Sequence, residues 1–432
     1  MERVAIADLE TWKSSHRRKP LILLGARQTG KTWLLKEFAT NHYRRTVYLN
    51  LEQSQLARSI FDADLDVKRI VSDLGVLDGL GPIRAEDTVI ILDEIQAAPQ
   101  ALAALKYFAE DGPQFHVAAA GSLLGIAAHQ DVSFPVGKVN LLQIHPLSFT
   151  EYLKGIGESG LAEVVGGYPP ERFAPFHDAL VAHMKAFLFV GGMPEVVVEY
   201  AVHRDLLAAR EVQRELLGTY ERDFSKHAPT HEVPRLRALF ESVPRQLARE
   251  NKRFVYGQAQ PGARSKTMEV ALQWLTDANL IHKVPRVQVP RFPLAAYTDE
   301  SAFKLYFLDV GLTAAAVGLE PRTILESSAV FTEYKGALTE QLVLQELIAA
   351  GFRPFYWANR NGTAEIDFLV EVSGRILPIE VKAEVSLQAK SLRVFKDQYA
   401  PTRSSRVSLR PYRDEGWLTN LPVYAVSRVA QV

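Results

Sequence analysis

The sequence predicts an α/β protein built on a parallel sheet, and three observations carry that prediction. Short apolar runs alternate with helical stretches up to about residue 145. The first run, Leu21-Ile22-Leu23-Leu24, leads directly into Gly25-Ala26-Arg27-Gln28-Thr29-Gly30-Lys31-Thr32. A later run, Val89-Ile90-Ile91-Leu92, ends in Asp93-Glu94. Alternating strands and helices argue for a parallel sheet covered on both faces. Ligands of such sheets bind beyond the carboxyl ends of the strands.

The expected strands are Leu21–Leu24, Thr46–Leu51, Thr88–Leu92, Phe115–Ala120 and Val139–Ile144. The segment from Gly25 to Thr32 fits G-x-x-x-x-G-K-[ST] at every fixed position. Trp33–Phe38 reads as the helix that follows it. A loop between strand and helix aims backbone N–H groups and a helix N-terminus at phosphate oxygens. Gly25, Ala26, Arg27, Gln28, Thr29, Gly30, Lys31, Thr32 and Trp33 are therefore the expected nucleotide contacts. Lys31 is expected to reach the β- and γ-phosphates and Thr32 to hold Mg2+. Asp93, at a buried strand end, is expected to hold the same ion through water, and Glu94 to polarise the attacking water. Downstream of a phosphate loop, this acidic pair favours ATP hydrolysis over binding alone. Ser122, after the Phe115–Ala120 run, has two readings: a contact to the γ-phosphate or attacking water, or an ordinary helix N-cap.

With 432 residues the chain exceeds one core, and two to four domains are expected. Its 50 basic and 50 acidic residues cancel, so global charge does not point to nucleic acid or membrane. The absence of cysteine excludes disulfides, thiolate metal sites and cysteine nucleophiles. The N-terminal segment has no apolar signal-peptide core, and no apolar run approaches the roughly 20 residues that span a bilayer. A cytoplasmic protein without a membrane partner is the expectation.

Residues 146–225 read as a helical lid or connector. Residues 226–330 follow a winged-helix-like order. Leu236–Leu247 is one helix, and a second begins near Arg264 with Met268, Leu272, Leu275 and Leu280 recurring roughly at helical spacing. Leu280–Val284 then reads as a strand. Arg264 and Lys266 on the second helix would face DNA phosphates in a DNA reader; in a packing or protein-contact module they would not.

Residues 331–432 form another α/β pattern. Ala337–Ala350 is an expected helix bearing Glu340; Phe355–Trp357, Glu365–Val370 and Ile376–Val381 are expected strands. Strand alternation puts Glu380 and Lys382 on one face, and a hairpin brings Asp367 beside them. Two carboxylates, Asp367 and Glu380, suit Mg2+ or Mn2+, with Glu340 completing the set. Lys382 would orient water or stabilise developing charge during phosphodiester cleavage. The alternative is a solvated Glu-x-Lys pair of little energetic weight.

The chain resembles the bacterial and archaeal AAA-type ATPases, related to STAND-type switch ATPases, that carry a nuclease-like C-terminal domain of unknown function. The resemblance rests on GARQTGKT, VIILDEIQ, AAAGSLLG, FPVGKVNLLQIHPLSFTEYL, GGMPEVV and EIDFLVE with PIEVKAE, in that order. It implies that Gly191-Gly192-Met193-Pro194 approaches the adenine, with Pro194 as the contact. It puts Lys138 where many relatives have Arg, as a phosphate contact in cis or in trans. Asp367, Glu380 and Lys382 fall on the motif positions of the PD-(D/E)xK restriction-endonuclease-like fold, with Ile366 where that motif has proline. Lys390 lies on the helix that follows. The resemblance thus implies an ATPase core over 1–145 and a nuclease-like domain over 331–432. Its expected ligands are ATP or ADP and Mg2+, with DNA or RNA as partner and a homo-oligomer as one assembly. Either nucleotide state controls a nuclease-like domain, or the chain is a nucleotide-gated DNA- or protein-binding module whose nuclease-like domain is silent.

Overall fold

The computed structural model describes residues 2–122, 134–249, 252–321, 329–359, 361–383 and 389–431. The chain divides into two compact units. One comprises Arg3–His145 with Asp277–Asn279; the other comprises Pro146–Thr276 and Leu280–Val432, with Met1–Glu2.

The first unit is a five-stranded sheet of β1 (Leu21–Leu24), β2 (Arg45–Asn50), β3 (Thr88–Asp93), β4 (His116–Ala120) and β5 (Asn140–Gln143). Its spatial order is β2-β3-β4-β1-β5. Every pairing is parallel. Period-2 alternation explains why the strands are apolar throughout. Ile22, Val47, Leu49, Ile90, Leu92, Val117 and Ala119 enter one core, against α3 (Gln55–Ala63), α4 (Val67–Leu77) and α5 (Pro99–Asp111). Leu21, Leu23, Val89, Ile91, Ala118 and Ala120 enter the other, against α1 (Ala5–Ser14) and α2 (Lys31–His42). A sheet buried on both faces needs apolar residues at consecutive positions, and all six residues of β3 are buried. The register sets Asp93 beside Ala120, so β3 and β4 end at one level.

The second unit opens with helices α6 (Phe149–Gly155), α7 (Ser159–Gly167), α8 (His177–Val190), α9 (Pro194–His203), α10 (Leu206–His227), α11 (Val233–Leu247) and α12 (Ser265–Asp277). A capping box starts α6: Ser148 Oγ accepts from Glu151 N, and the Glu151 carboxylate accepts from Ser148 N. A hairpin follows, of β6 (Ile281–Val287) and β7 (Thr298–Phe307), then α13 (Val310–Ala316) and α14 (Ala329–Ala349). The remainder is β8 (Phe355–Ala358), β9 (Glu365–Val372), β10 (Arg375–Val381), α15 (Lys390–Tyr399), β11 (Ser404–Ser408), β12 (Arg413–Asp414) and β13 (Leu418–Pro422).

These strands form one mixed sheet in the order β12-β13-β11-β10-β9-β8-β6-β7. The β6–β7 hairpin, in the segment expected to be winged-helix-like, is thus not a free wing. Arg286 and Val287 pair in parallel with Tyr356 and Trp357, so strands on both sides of residue 330 share hydrogen bonds. The β9–β10 hairpin turns at Ser373 and Gly374, and its register sets Ile379 opposite Phe368. Glu380 and Asp367 are next in line.

Candidate functional site

The phosphate loop leaves β1 through Gly25, whose φ is +142°. A Cβ there would sit 2.3 Å from the Ile144 carbonyl oxygen, so only glycine fits. Thr29 Oγ1 donates to Ala26 O at 2.9 Å, which closes the loop on itself. Arg3 clamps it from outside, with Nη1 on Thr29 O (2.9 Å) and Nη2 on His145 O (2.8 Å). Lys31, the first residue of α2, folds its ammonium into the loop and donates to Gly25 O (2.8 Å) and Ala26 O (2.6 Å). It is 7% exposed. Burial pushes its pKa down to about 8, against the pull of Glu94 and Asp93.

Thr32 and the β3 carboxylates meet at the sheet edge. Thr32 Oγ1 donates to Asp93 Oδ2 at 2.9 Å, and Tyr48 OH donates to the same oxygen at 2.7 Å. Desolvation and the Asp93 carboxylate push the Tyr48 hydroxyl up to about 12, so it remains a donor. Lys36 lies 3.9 Å from the Tyr48 ring centroid. Glu94 adopts the left-handed conformation (φ 50°, ψ 46°), a strained state for a residue with a side chain. Gln96 Nε2 holds its carboxylate at 2.5 Å. Ser122 follows β4, which lies between β1 and β3 in the sheet. Its hydroxyl is buried and has no hydrogen-bond partner among the described residues. The residues that would follow Ser122 on its helix-cap reading lie outside the described residues. Trp33 is 40% exposed on α2. Lys138 pairs with Glu110 at 2.8 Å.

Gly191 to Pro194 belong to the second unit, and their glycines answer a packing demand. A Cβ on Gly192 would lie 2.1 Å from Leu147 O, and one on Gly191 2.2 Å from Asp309 Oδ1. Gly192 N donates to the buried Asp309 at 2.6 Å, and Leu147 N donates to Gly192 O at 2.6 Å. Pro194 is the first residue of α9.

The C-terminal residues converge on an ionic cluster. Glu340 is buried on α14 and takes Lys304 Nζ at 3.0 Å, with Lys252 and the Tyr306 hydroxyl also on its carboxylate. Burial alone would raise Glu340, but Lys252 and Lys304 overcome it and hold the carboxyl at about 2. Lys304 is fully buried and also meets Glu365 at 2.6 Å and Asp367 at 4.0 Å. Desolvation works against its charge, yet Glu340, Glu365 and Asp367 outweigh it and keep the ammonium protonated. Asp367 accepts from Val381 N at 2.7 Å. Desolvation and Glu340 raise it to about 7. Lys382 Nζ pairs with Glu380 at 2.8 Å, and the second Glu380 oxygen is buried without a partner among the described residues. Asp367 and Glu380 thus sit on adjoining strands, with Lys382 just past the end of β10. Glu340, expected as a metal ligand, is instead engaged by two lysines and a tyrosine. Among the described residues no group of three or more acids or histidines is arranged to hold a metal. Arg264 and Lys266 are exposed at the start of α12, and Lys390 is exposed at the start of α15.

Sequence reasoning missed Lys252, Lys304, Glu365, Tyr306, Tyr48 and Arg3. Lys304 left a trace: it is a single cation in the apolar run Phe303–Phe307. The others left none, because their partners are remote in the chain.

A five-stranded parallel sheet with this loop after β1 and an acidic pair after β3 defines a P-loop ATPase-like domain. In agreement, residues 17–153 match the family model described as an AAA domain. Residues 181–323 match a domain of unknown function (DUF8612), and residues 335–424 match another (DUF4143). Uncharacterized proteins of Mycobacterium tuberculosis and Mycobacterium bovis are each 26% identical over 381 residues, 86% of this chain and 71% of theirs. Among solved structures, the Walker-type ATPase of Pyrococcus abyssi overlaps with a TM-score of 0.45 at 16% identity, covering 73% of this chain and 95% of that one. The Thermotoga maritima RuvB Holliday junction branch migration motor overlaps with a TM-score of 0.31 at 14% identity, covering 67% of this chain and 90% of that one. Neither overlap is close enough to carry a role across. Among the described residues no helix is long and apolar enough to cross a membrane.

Proposed function

We propose that the protein is a Mg2+-dependent ATP hydrolase whose nucleotide state governs a nuclease-like C-terminal domain. The observation that carries the hydrolase reading is the 2.9 Å hydrogen bond from Thr32 to Asp93, which joins the phosphate loop to the end of β3. A hydroxyl and a carboxylate side by side suit a hard oxygen-seeking cation. Thr32 would hold Mg2+ directly and Asp93 through water; the ion would neutralise charge on the β- and γ-phosphates. Lys31 would exchange the Gly25 and Ala26 carbonyls for phosphate oxygens. Glu94 would orient the attacking water, and the unpartnered Ser122 hydroxyl would face the γ-phosphate. The backbone from Gly25 to Trp33 would cradle the triphosphate, with Pro194 in an adenine role and Lys138 as a phosphate cation. We read residues 1–145 as the ATPase core, 146–225 as a lid, 226–330 as winged-helix-like and 331–432 as nuclease-like. Phosphate release that requires Mg2+ and is lost in Lys31→Ala tests the hydrolase.

The convergence of Asp367, Glu380 and Lys382, with one Glu380 oxygen unpartnered among the described residues, supports the nuclease-like reading. A second reading is favoured by Lys304. Its ammonium sits among Glu340, Glu365 and Asp367, where a metal-using site would keep carboxylates for the metal. On that reading the domain binds nucleic acid or protein without cutting. Cleavage of labelled DNA and RNA with Mg2+ or Mn2+, with and without ATP, separates the two. Cleavage lost in Asp367→Ala supports the nuclease. Its absence in a preparation that hydrolyses ATP supports the silent module.

A further inference from the structure

The end of α11, the chain after it and the start of α14 enclose a cleft of about 870 Å³ in the second unit. Arg245, Arg249, Lys252 and Arg253 line it, with Gln258 and Tyr334, and no carboxylate is among its described lining residues. The whole chain carries equal numbers of bases and acids, so this is a local concentration of positive charge. Arg245, Arg249 and Arg253 are exposed and Lys252 is half-buried. Glu241 tempers Arg245 only through an exposed contact at 3.5 Å.

We infer that this cleft holds the phosphate backbone of a single-stranded nucleic acid. Several guanidinium forks lining one cleft match successive phosphates better than they match a single small anion. Tyr334, which lines the cleft from α14, supplies an aromatic face on which an unpaired base stacks, the combination that single-strand binders use. Lys252 ties the cleft to the interior. It lines the wall and pairs with buried Glu340, which in turn meets Lys304. A phosphate in the cleft competes with Glu340 for Lys252, so occupancy changes the charge balance around Asp367. The inference deepens the reading of the second unit as the part that faces nucleic acid, and it does not depend on ATP hydrolysis.

The test is fluorescence anisotropy of a labelled oligothymidine with the full chain, without nucleotide, over about 50 to 200 mM salt. ATP hydrolysis is measured on the same preparation. Wild type should bind with a steep salt dependence. Arg245→Ala/Arg249→Ala should weaken binding at least about tenfold at low salt and reduce the salt slope by about two. Arg245→Lys/Arg249→Lys keeps both charges and should keep the slope, which separates charge loss from misfolding. Tyr334→Leu should weaken oligothymidine more than a hairpin duplex. Unchanged affinity and slope in the double alanine variant would overturn the assignment. So would wild type that hydrolyses ATP but does not bind at about 50 mM salt, or poly-glutamate competing as well as unlabelled DNA at equal charge, which would point to an acidic protein. Binding that persists in a preparation without ATPase activity would overturn the hydrolase and leave the cleft standing.

Discussion

Replacing Lys304 by methionine removes the centre of the C-terminal ionic cluster while nearly conserving volume. The ammonium lies 2.6 Å from Glu365, 3.0 Å from Glu340 and 4.0 Å from Asp367, and is fully buried. At an effective dielectric of about 20, each contact near 3 Å is worth roughly 5 kcal/mol, most of which offsets desolvation of the ammonium. Its loss leaves three carboxylates facing one another, with Lys252 as the remaining lysine on Glu340. Breaking a buried pair in this way costs about 3–5 kcal/mol. For a unit of this size, that corresponds to a melting temperature lower by roughly 6–15 °C. The penalty must depend on pH. Asp367 is already raised to about 7, and the variant raises it further. A carboxyl raised on folding stabilises below its unfolded pKa, near 4, and loses that contribution as pH rises through the folded value. The deficit against wild type should therefore be larger at pH 8 than at pH 5. Scanning calorimetry of both proteins at the two pH values is the assay. A deficit below about 1 kcal/mol, or one equal at both pH values, would refute the reasoning.

Three further outcomes are expected. Lys31 titrates near 8 in the free protein, so ATP affinity should fall above that pH, by up to about tenfold per unit, with proton uptake on binding in calorimetry. Gly25→Ala forces a Cβ to 2.3 Å from Ile144 O; it should cost roughly 2–4 kcal/mol and abolish ATP binding, read by melting temperature and ligand titration. Buried Glu346 caps α6 through Phe149 N at 2.7 Å and is pushed up to about 8 by desolvation. Its stabilisation is complete below about pH 4.5 and fades as pH rises towards 8, so Glu346→Gln should gain on the order of 2–4 kcal/mol over wild type at pH 8 and little at pH 5.

The ATPase half was legible because its chemistry is local. A phosphate loop needs fixed residues at fixed spacing, and β3 shows its double burial as an unbroken apolar run into Asp93. The strand ends differed from expectation by a residue or so: β2 begins at Arg45 and β5 stops at Gln143. The other half hid its organisation in long-range contacts. Lys252, Lys304, Glu340 and Asp367 meet across more than a hundred residues of chain, and no periodicity announces that. Glu340 was expected as a metal ligand; its engagement by two lysines was not legible. Gly191-Gly192 was expected near the adenine, and only the Leu147 and Asp309 contacts explain why a side chain cannot replace either hydrogen. Only one strand, Leu280–Val284, was expected in the winged-helix-like segment; the pairing of β6 with β8 depends on residues some 70 positions later.

The central claim is that the Thr32–Asp93–Glu94 edge hydrolyses ATP on a loop closed by Lys31. The most direct measurement is steady-state phosphate release with Mg2+, together with equilibrium ATP binding, for wild type, Lys31→Ala and Glu94→Gln. The predicted result is hydrolysis in wild type, loss of both binding and hydrolysis in Lys31→Ala, and retained binding with hydrolysis reduced about 100-fold or more in Glu94→Gln. Undiminished hydrolysis in both variants, or hydrolysis that persists when Mg2+ is chelated, would contradict it.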